Sequence, residues 1–252
     1  MYKGTVSFVA EITGNGLTFP RFDYDPNKPG VAKVEIEGLD GHVIGSTVYL
    51  SGVQSPESGI TLAEQVNTAS LDRIAFRENI AIGKARRGKE DFSPLDEQPG
   101  TRVIFAGTGR FEVKGSDVKI IVSRCPAQLR EMLEKPTTPG DRSYGLFRSA
   151  LQSTGPVEEF MHLYHILMVL IKDSQLNIDE YIISEEPAVP QTSSPWKPGL
   201  NETVYTRLRN EFAHKRGEDN LELTKAEMTK FLGKLRMLVR KAIEEESMSR
   251  TE

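Results

Sequence analysis

The feature that most constrains this chain is a change of period. Ahead of Pro136-Thr137-Thr138-Pro139-Gly140-Asp141 its apolar residues tend to alternate; beyond it they recur every three or four positions. Alternation suits a half-buried strand and the longer period suits an amphipathic helix. VSFVAEI, VAKVEIEGLD, HVIGSTVYLSG, TRVIFAGTGRFEV and VKIIVSR read as strands. In the second of these, Val34, Ile36 and Gly38 face one way, and Lys33, Glu35, Glu37 and Leu39 face the other. Leu62, Val66, Ala69, Ile74 and Phe76 mark a helix near 61–81. The basic run KARRGKEDF after it reads as a solvated loop, with phosphate binding as the lesser alternative. Gly14-Asn15-Gly16 and GTGRFE, residues 107–112, read as turns; the latter lacks the closing Lys and Ser/Thr of a phosphate loop.

Two prolines and a glycine make 136–142 a linker between an α+β domain, 1–135, and a helical bundle, 143–252. In the bundle, SYGLFRSALQS predicts a helix with Leu146, Phe147, Ala150 and Leu151 on one side. Pro156 opens another that runs to about Lys172, with Glu158 and Glu159 at its positive end. NIDEYIIS predicts a short helix, with a strand as the competing reading. Residues 185–200, with four prolines, read as a long loop, which Trp196 can anchor onto the bundle, or whose Trp196 contacts a partner or a base. Asn201 is placed to cap a helix through Val204, Leu208 and Phe212, which Gly217 ends. Thr224 and Glu227 form a capping-box pattern for the last helix, whose residues after Ile243 are expected to fray. Four or five helices would then close as a bundle.

The net charge of −4 argues against a protein that coats nucleic acid with its whole surface, but not against a local basic site. One exists. Residues 197–216 hold Lys197, Arg207, Arg209, Lys215 and Arg216 against Glu202 and Glu211. Within this segment lies RNEFAH, which contains one of only four histidines. On a helix, Asn210 and His214 share a face, and Arg207 lies on nearly the same side. Arg209 and His214 differ by about 140° and about 7.5 Å of rise. His214 can take a proton from a 2′-hydroxyl or give one to a leaving oxygen. Arg209 can hold a phosphate bidentately, and Asn210 can orient the histidine or the substrate. No metal is required for this chemistry. The structural alternative is that Arg and His simply favour a helix C-terminus.

His162 and His165 share a helical face and, with His214, would make a three-histidine set. No Asp or Glu completes a ligand spacing, and Phe160 and Tyr164 flank them. Packing or polar bonds within the bundle is therefore the preferred reading, with support of the Arg209–His214 site as the alternative. Glu158 reads as a helix-start residue that could also tune His214. No metal or cofactor is expected. Cys125 is the single cysteine, so no internal disulfide forms, and a cytoplasmic setting follows as the default. The N-terminus carries no signal-peptide pattern, and Phe160 to Ile171 is too short to span a bilayer.

Arg209-Asn210-Glu211-Phe212-Ala213-His214 resembles, position by position, the signature of the HEPN superfamily of helical domains. The resemblance implies a metal-independent ribonuclease in defence or toxin-like settings, working as a dimer that joins two such motifs. Arg209 and His214 would be catalytic, Asn210 their assistant, and Arg207, Lys215 and Arg216 would bind nucleic acid. Many domains of that superfamily keep the fold without nuclease activity. FMHLYHILMVL, SSPWKPG, NETVYTRLRNEFAHKRG and the final helix are also similar to the methylamine utilisation accessory (MauJ-like) family. That second resemblance implies a non-enzymatic accessory or scaffold role as the alternative. The expected partners are RNA, a second copy through the helical domain, and a protein at the N-terminal domain; no membrane is expected.

Overall fold

A computed structural model of the chain describes residues 1–95, 103–105, 121–136, 141–171, 174–195, 199–213 and 221–249. The fold is α+β. A mixed strand–helix half-barrel is followed by a largely helical region. Met1–Thr137 forms one compact unit and Thr138–Glu252 a second.

In the first unit, four long strands come early: β1 (Tyr2–Thr13), β2 (Gly16–Tyr24), β3 (Val31–Leu39) and β4 (Val43–Val53). Then follow α1 (Pro56–Glu78), β5 (Ala81–Ile82), β6 (Arg86–Pro94), β7 (Val103–Phe105), β8 (Ile121–Ser123) and α2 (Pro126–Glu134). Among the described residues the sheet order is β7-β6-β1-β4-β3-β2-β8, with β5 beside β1. Among the described strand pairs of this sheet, only β2–β8 is parallel. The alternation works as the sequence suggests. Val6, Phe8, Ala10 and Ile12 of β1 and Val34 and Ile36 of β3 are buried against Ala63, Leu71 and Ile74 of α1.

Two local readings change, and strand β2 is one that the alternation does not mark. The basic run is strand β6, paired along β1 from Val9↔Arg86 to Tyr2↔Pro94. Arg86 meets Glu11, while Arg87, across from Phe8, meets Glu64 of α1 and Glu90. Its hold on the core is Phe92, buried directly across from Gly4. A Cβ at Gly4 would stand 2.5 Å from both the Asp91 carbonyl and the Phe92 ring, so the strands close only over glycine. Strand β2 escapes the alternation test because its register shifts between Phe19 and Phe22, leaving Pro20 and Arg21 exposed. Helix α1 starts at Pro56, earlier than expected, because Ser55 and Ser58 exchange side chain–backbone bonds in a capping box. The 107–112 turn lies outside the described residues.

The second unit contains α3 (Asp141–Leu151), α4 (Pro156–Leu170), α5 (Gln175–Glu185), β9 (Gln191–Ser193), β10 (Asn201–Thr203), α6 (Val204–Ala213) and α7 (Leu221–Ser249). Residues 175–185 are helical, not extended. Part of the expected loop at 185–200 is a hairpin arm, β9 paired with β10. On α3, Phe147, Ala150 and Leu151 are buried, but Leu146 is exposed and Ser143 takes the inner position, bonded to Glu246 at 3.0 Å. Helix α7 begins at Leu221, so Thr224 is not its cap; it is buried inside the helix and donates to Glu211 at 3.1 Å. The helix continues to Ser249, past the point where fraying was expected.

Tyr205 is the packing hub of this unit. Its ring stacks on Phe160 at 6.4 Å and meets the edge of Phe231 at 5.7 Å, tying α6 to α4 and α7. Its hydroxyl donates to Glu186 at 2.7 Å. Glu159, buried on α4, is held by both Arg236 Nε and Arg236 Nη2 of α7. Among the described residues no helix is long and apolar enough to cross a membrane.

Phe92→Ala is expected to cost about 3–5 kcal/mol, the usual penalty for emptying a buried phenylalanine site. Gly4→Ala is expected to destabilise as well, by steric clash with the Asp91 carbonyl. Urea denaturation of the full chain, followed by the transition of its strand-rich unit, measures both.

Candidate functional site

The site is built at the start of α6. Asn201 does not cap this helix, because it pairs in β10 with Ser193. Thr203 caps instead, its hydroxyl accepting from Thr206 N at 3.4 Å. Beneath this turn lies Asp179 of α5, only 4% exposed. Its Oδ1 accepts from Thr203 N at 3.1 Å, Thr203 Oγ1 at 2.7 Å and Thr206 Oγ1 at 2.6 Å. Burial raises the Asp179 pKa above its ordinary value, and these three donors only partly offset that. A negative group here also faces the positive end of the helix. Tyr164 of α4 completes the chain, its hydroxyl 2.8 Å from Thr206 Oγ1. Since the single Thr206 proton goes to Asp179, the Tyr164 hydroxyl is the donor. Burial pushes the Tyr164 pKa up to about 12, with the Asp179 charge adding to the rise.

One turn further along α6 stand Asn210 and Arg209. Asn210 is 4% exposed. Its Nδ2 donates to Glu202 Oε2 at 3.2 Å and lies 3.5 Å from Gln175 Oε1. Its Oδ1 accepts from Arg209 Nη1 at 3.0 Å. The half-buried Arg209 places its guanidinium carbon 6.0 Å from the centre of the Tyr164 ring. Among the described residues Arg209 makes no ion pair.

Arg207, two residues earlier, is different. Its Nη1 donates to Glu211 at 2.8 Å and its Nη2 to Glu227 of α7 at 2.7 Å. Burial works against its charge, but the bonds to Glu227 and Glu211 outweigh burial and raise its pKa. It clamps α6 to α7 beside a groove of about 510 Å³ that Glu211, Glu227 and Lys230 also line. A cation committed to two carboxylates is a poor phosphate ligand.

His214, Lys215, Arg216, Gly217 and Trp196 lie outside the described residues. His162 and His165 are exposed on α4 rather than packed in the bundle, because Phe160, Leu163, Tyr164 and Leu167 take its inner face. His162 Nδ1 is 3.0 Å from Ser153 Oγ. The exposed Glu158 accepts from Thr154 Oγ1 at 2.8 Å and Thr154 N at 3.1 Å, bonds that lower its pKa. None of these three joins Arg209 or Asn210 by a hydrogen bond or ion pair among the described residues. Nor, among them, do three or more His, Cys, Asp or Glu side chains gather in a way that could hold a metal.

Sequence reasoning missed Asp179, Glu202, Gln175, Tyr164, Thr203 and Thr206. One signal was present. Thr206 and Asn210 stand four apart on α6, a polar pair on one buried side of the helix. No protein-family model matches this chain, and comparison with curated proteins and with solved structures finds no significant match.

The raised Asp179 pKa has a definite sign for stability. Between the ordinary carboxylate value and the raised one, the folded chain binds the proton more tightly than the unfolded chain. Stability from this group is therefore present at low pH and is lost as pH rises through that window. Asp179→Asn removes the effect. The stability of wild type relative to Asp179→Asn is expected to increase as pH is lowered from 7 towards 4, measured by urea denaturation at each pH.

Proposed function

We propose that the helical unit is an RNA-directed site, a metal-independent endoribonuclease acting through Arg209 and His214. The observation that carries this reading is the state of Arg209. It is anchored by a neutral amide and an aromatic ring, and among the described residues its charge has no carboxylate partner. A guanidinium held in this way can accept a phosphate without first giving up an ion pair. His214, four residues beyond Asn210, takes the 2′-hydroxyl proton; the 2′-oxygen attacks phosphorus; the 5′-oxygen departs with the proton that the imidazolium returns. The products are a 2′,3′-cyclic phosphate and a free 5′-hydroxyl. The match of Arg209 to His214 with the HEPN signature supports the same chemistry, with a cytoplasmic homodimer bringing two motifs together and the N-terminal unit selecting the target.

A second reading is favoured by one observation: Asn210 is buried and both ends of its amide are bonded within the protein. In an accessory or scaffold protein the motif would serve only to stabilise the bundle.

The discriminating experiment is cleavage of mixed cellular RNA by the purified protein in EDTA. Wild type is expected to cleave it. His214→Ala is expected to lose about 10²–10⁴ in rate and Arg209→Ala about 10²–10³. In binding assays Arg209→Ala is expected to reduce the salt dependence of RNA affinity by about one phosphate contact. Neither cleavage nor salt-dependent binding by the folded wild type would favour the scaffold reading.

A further inference from the structure

We propose that Glu202 is the positioning residue of Arg209, acting through Asn210. The proposal rests on the reading of Arg209 as the phosphate-binding cation, and its chemistry follows from what each group can do. An ionised carboxylate only accepts hydrogen bonds, whereas a side-chain amide donates at one end and accepts at the other. Glu202, 2% exposed and lodged on β10, presents Oε2 to Asn210 Nδ2 at 3.2 Å. That contact leaves the Asn210 amide one permitted orientation. Its NH₂ must face Glu202, so its oxygen must face outward, and the outward partner is Arg209 Nη1 at 3.0 Å. Gln175 holds the inner end, its Nε2 being 3.5 Å from the same Glu202 oxygen.

The arrangement solves a problem that direct pairing cannot. A carboxylate placed against Arg209 would fix the guanidinium and also neutralise it, as Glu211 and Glu227 do to Arg207. A carboxylate placed one amide away fixes the guanidinium and leaves its charge facing the site. The Tyr164 ring supplies a second support that does not compete for phosphate. Orientation matters because bidentate recognition needs the planar fork aimed at two oxygens at once.

The test uses the full chain with ¹⁵N-labelled arginine, in wild type, Glu202→Leu and Glu202→Gln. The readouts are the order parameter of the Arg209 Nε–Hε vector and RNA cleavage and affinity. In Glu202→Leu the acceptor is gone, and the order parameter is expected to fall from about 0.8 to below about 0.6. Arg207, whose partners are unchanged, stays as in wild type. Cleavage is expected to fall by up to about a hundredfold, and Glu202→Leu adds no further loss in an Arg209→Ala background, because Glu202 acts only through Arg209. Glu202→Gln keeps an acceptor oxygen but permits the flipped amide, and both readouts are expected to lie between wild type and Glu202→Leu. It also covers the case in which Glu202→Leu does not fold. An Arg209 as ordered in the variants as in wild type overturns the proposal, whatever happens to RNA. Loss of order in a protein whose wild type neither binds nor cleaves RNA supports the positioning role and overturns the ribonuclease reading instead.

Discussion

The geometry of the helical unit depends on one buried carboxylate. Asp179 gathers a backbone N–H and two hydroxyls at the first turn of α6. Those bonds set where the hairpin arm β10 stops and the helix starts. They also fix the rotation of α6 about its own axis, and every side chain after Thr206 inherits that rotation. With Tyr205 locked between Phe160 and Phe231, the helix can neither slide nor roll. Leu208 then points into the core, Arg207 towards α7, and Asn210 back over Glu202.

The two arginines of α6 illustrate how neighbours on one helix acquire different tasks. They are two residues apart, so they cannot share a face. Arg207 falls on the side where α7 supplies Glu227, and it becomes a clamp between helices. Arg209 falls on the side where the amide of Asn210 accepts its hydrogen bond, and among the described residues it makes no ion pair. Sequence alone gives both residues the same credentials, namely a basic side chain beside RNEFAH. What separates them is the partner that the fold brings to each, and that partner comes from elsewhere in the chain.

The same distinction explains what the sequence made legible. Periodicity is a local property, and the elements it marks are present: β1, β3 and β4 by alternation, α4 by Pro156 and its acidic first turn, α7 by its apolar repeat. Three elements depend on information from farther away. Strand β6 looks like a charged loop until β1 is beside it, because only its Phe92 is buried. Thr224 looks like a cap until Glu211 of α6 reaches it. Asn201 looks like a cap until Ser193 pairs with it. In each case a tertiary partner overrides a valid local preference. The site follows the same rule. Arg209 and Asn210 were visible as a motif, while Asp179, Glu202 and Tyr164 were not, since nothing local distinguishes a buried carboxylate from the many solvated ones.

Burying Asp179 and Glu202 does not serve stability well. Replacing buried charged groups with apolar ones of similar shape is often neutral or stabilising, so such groups are better understood as devices that select one geometry. The network is graded in that respect. Asp179 has three donors at 2.6 to 3.1 Å and forms a tight knot at the base of α6. Glu202 has two amide donors at 3.2 and 3.5 Å and forms a looser end. Among the described residues Arg209 hangs from the looser end through one hydrogen bond. On the proposed ribonuclease reading, a rigid base that ends in a compliant tip suits phosphate capture. The helix would hold still while the guanidinium swings by tenths of an ångström to meet two oxygens. A direct ion pair at that tip would remove the compliance along with the charge.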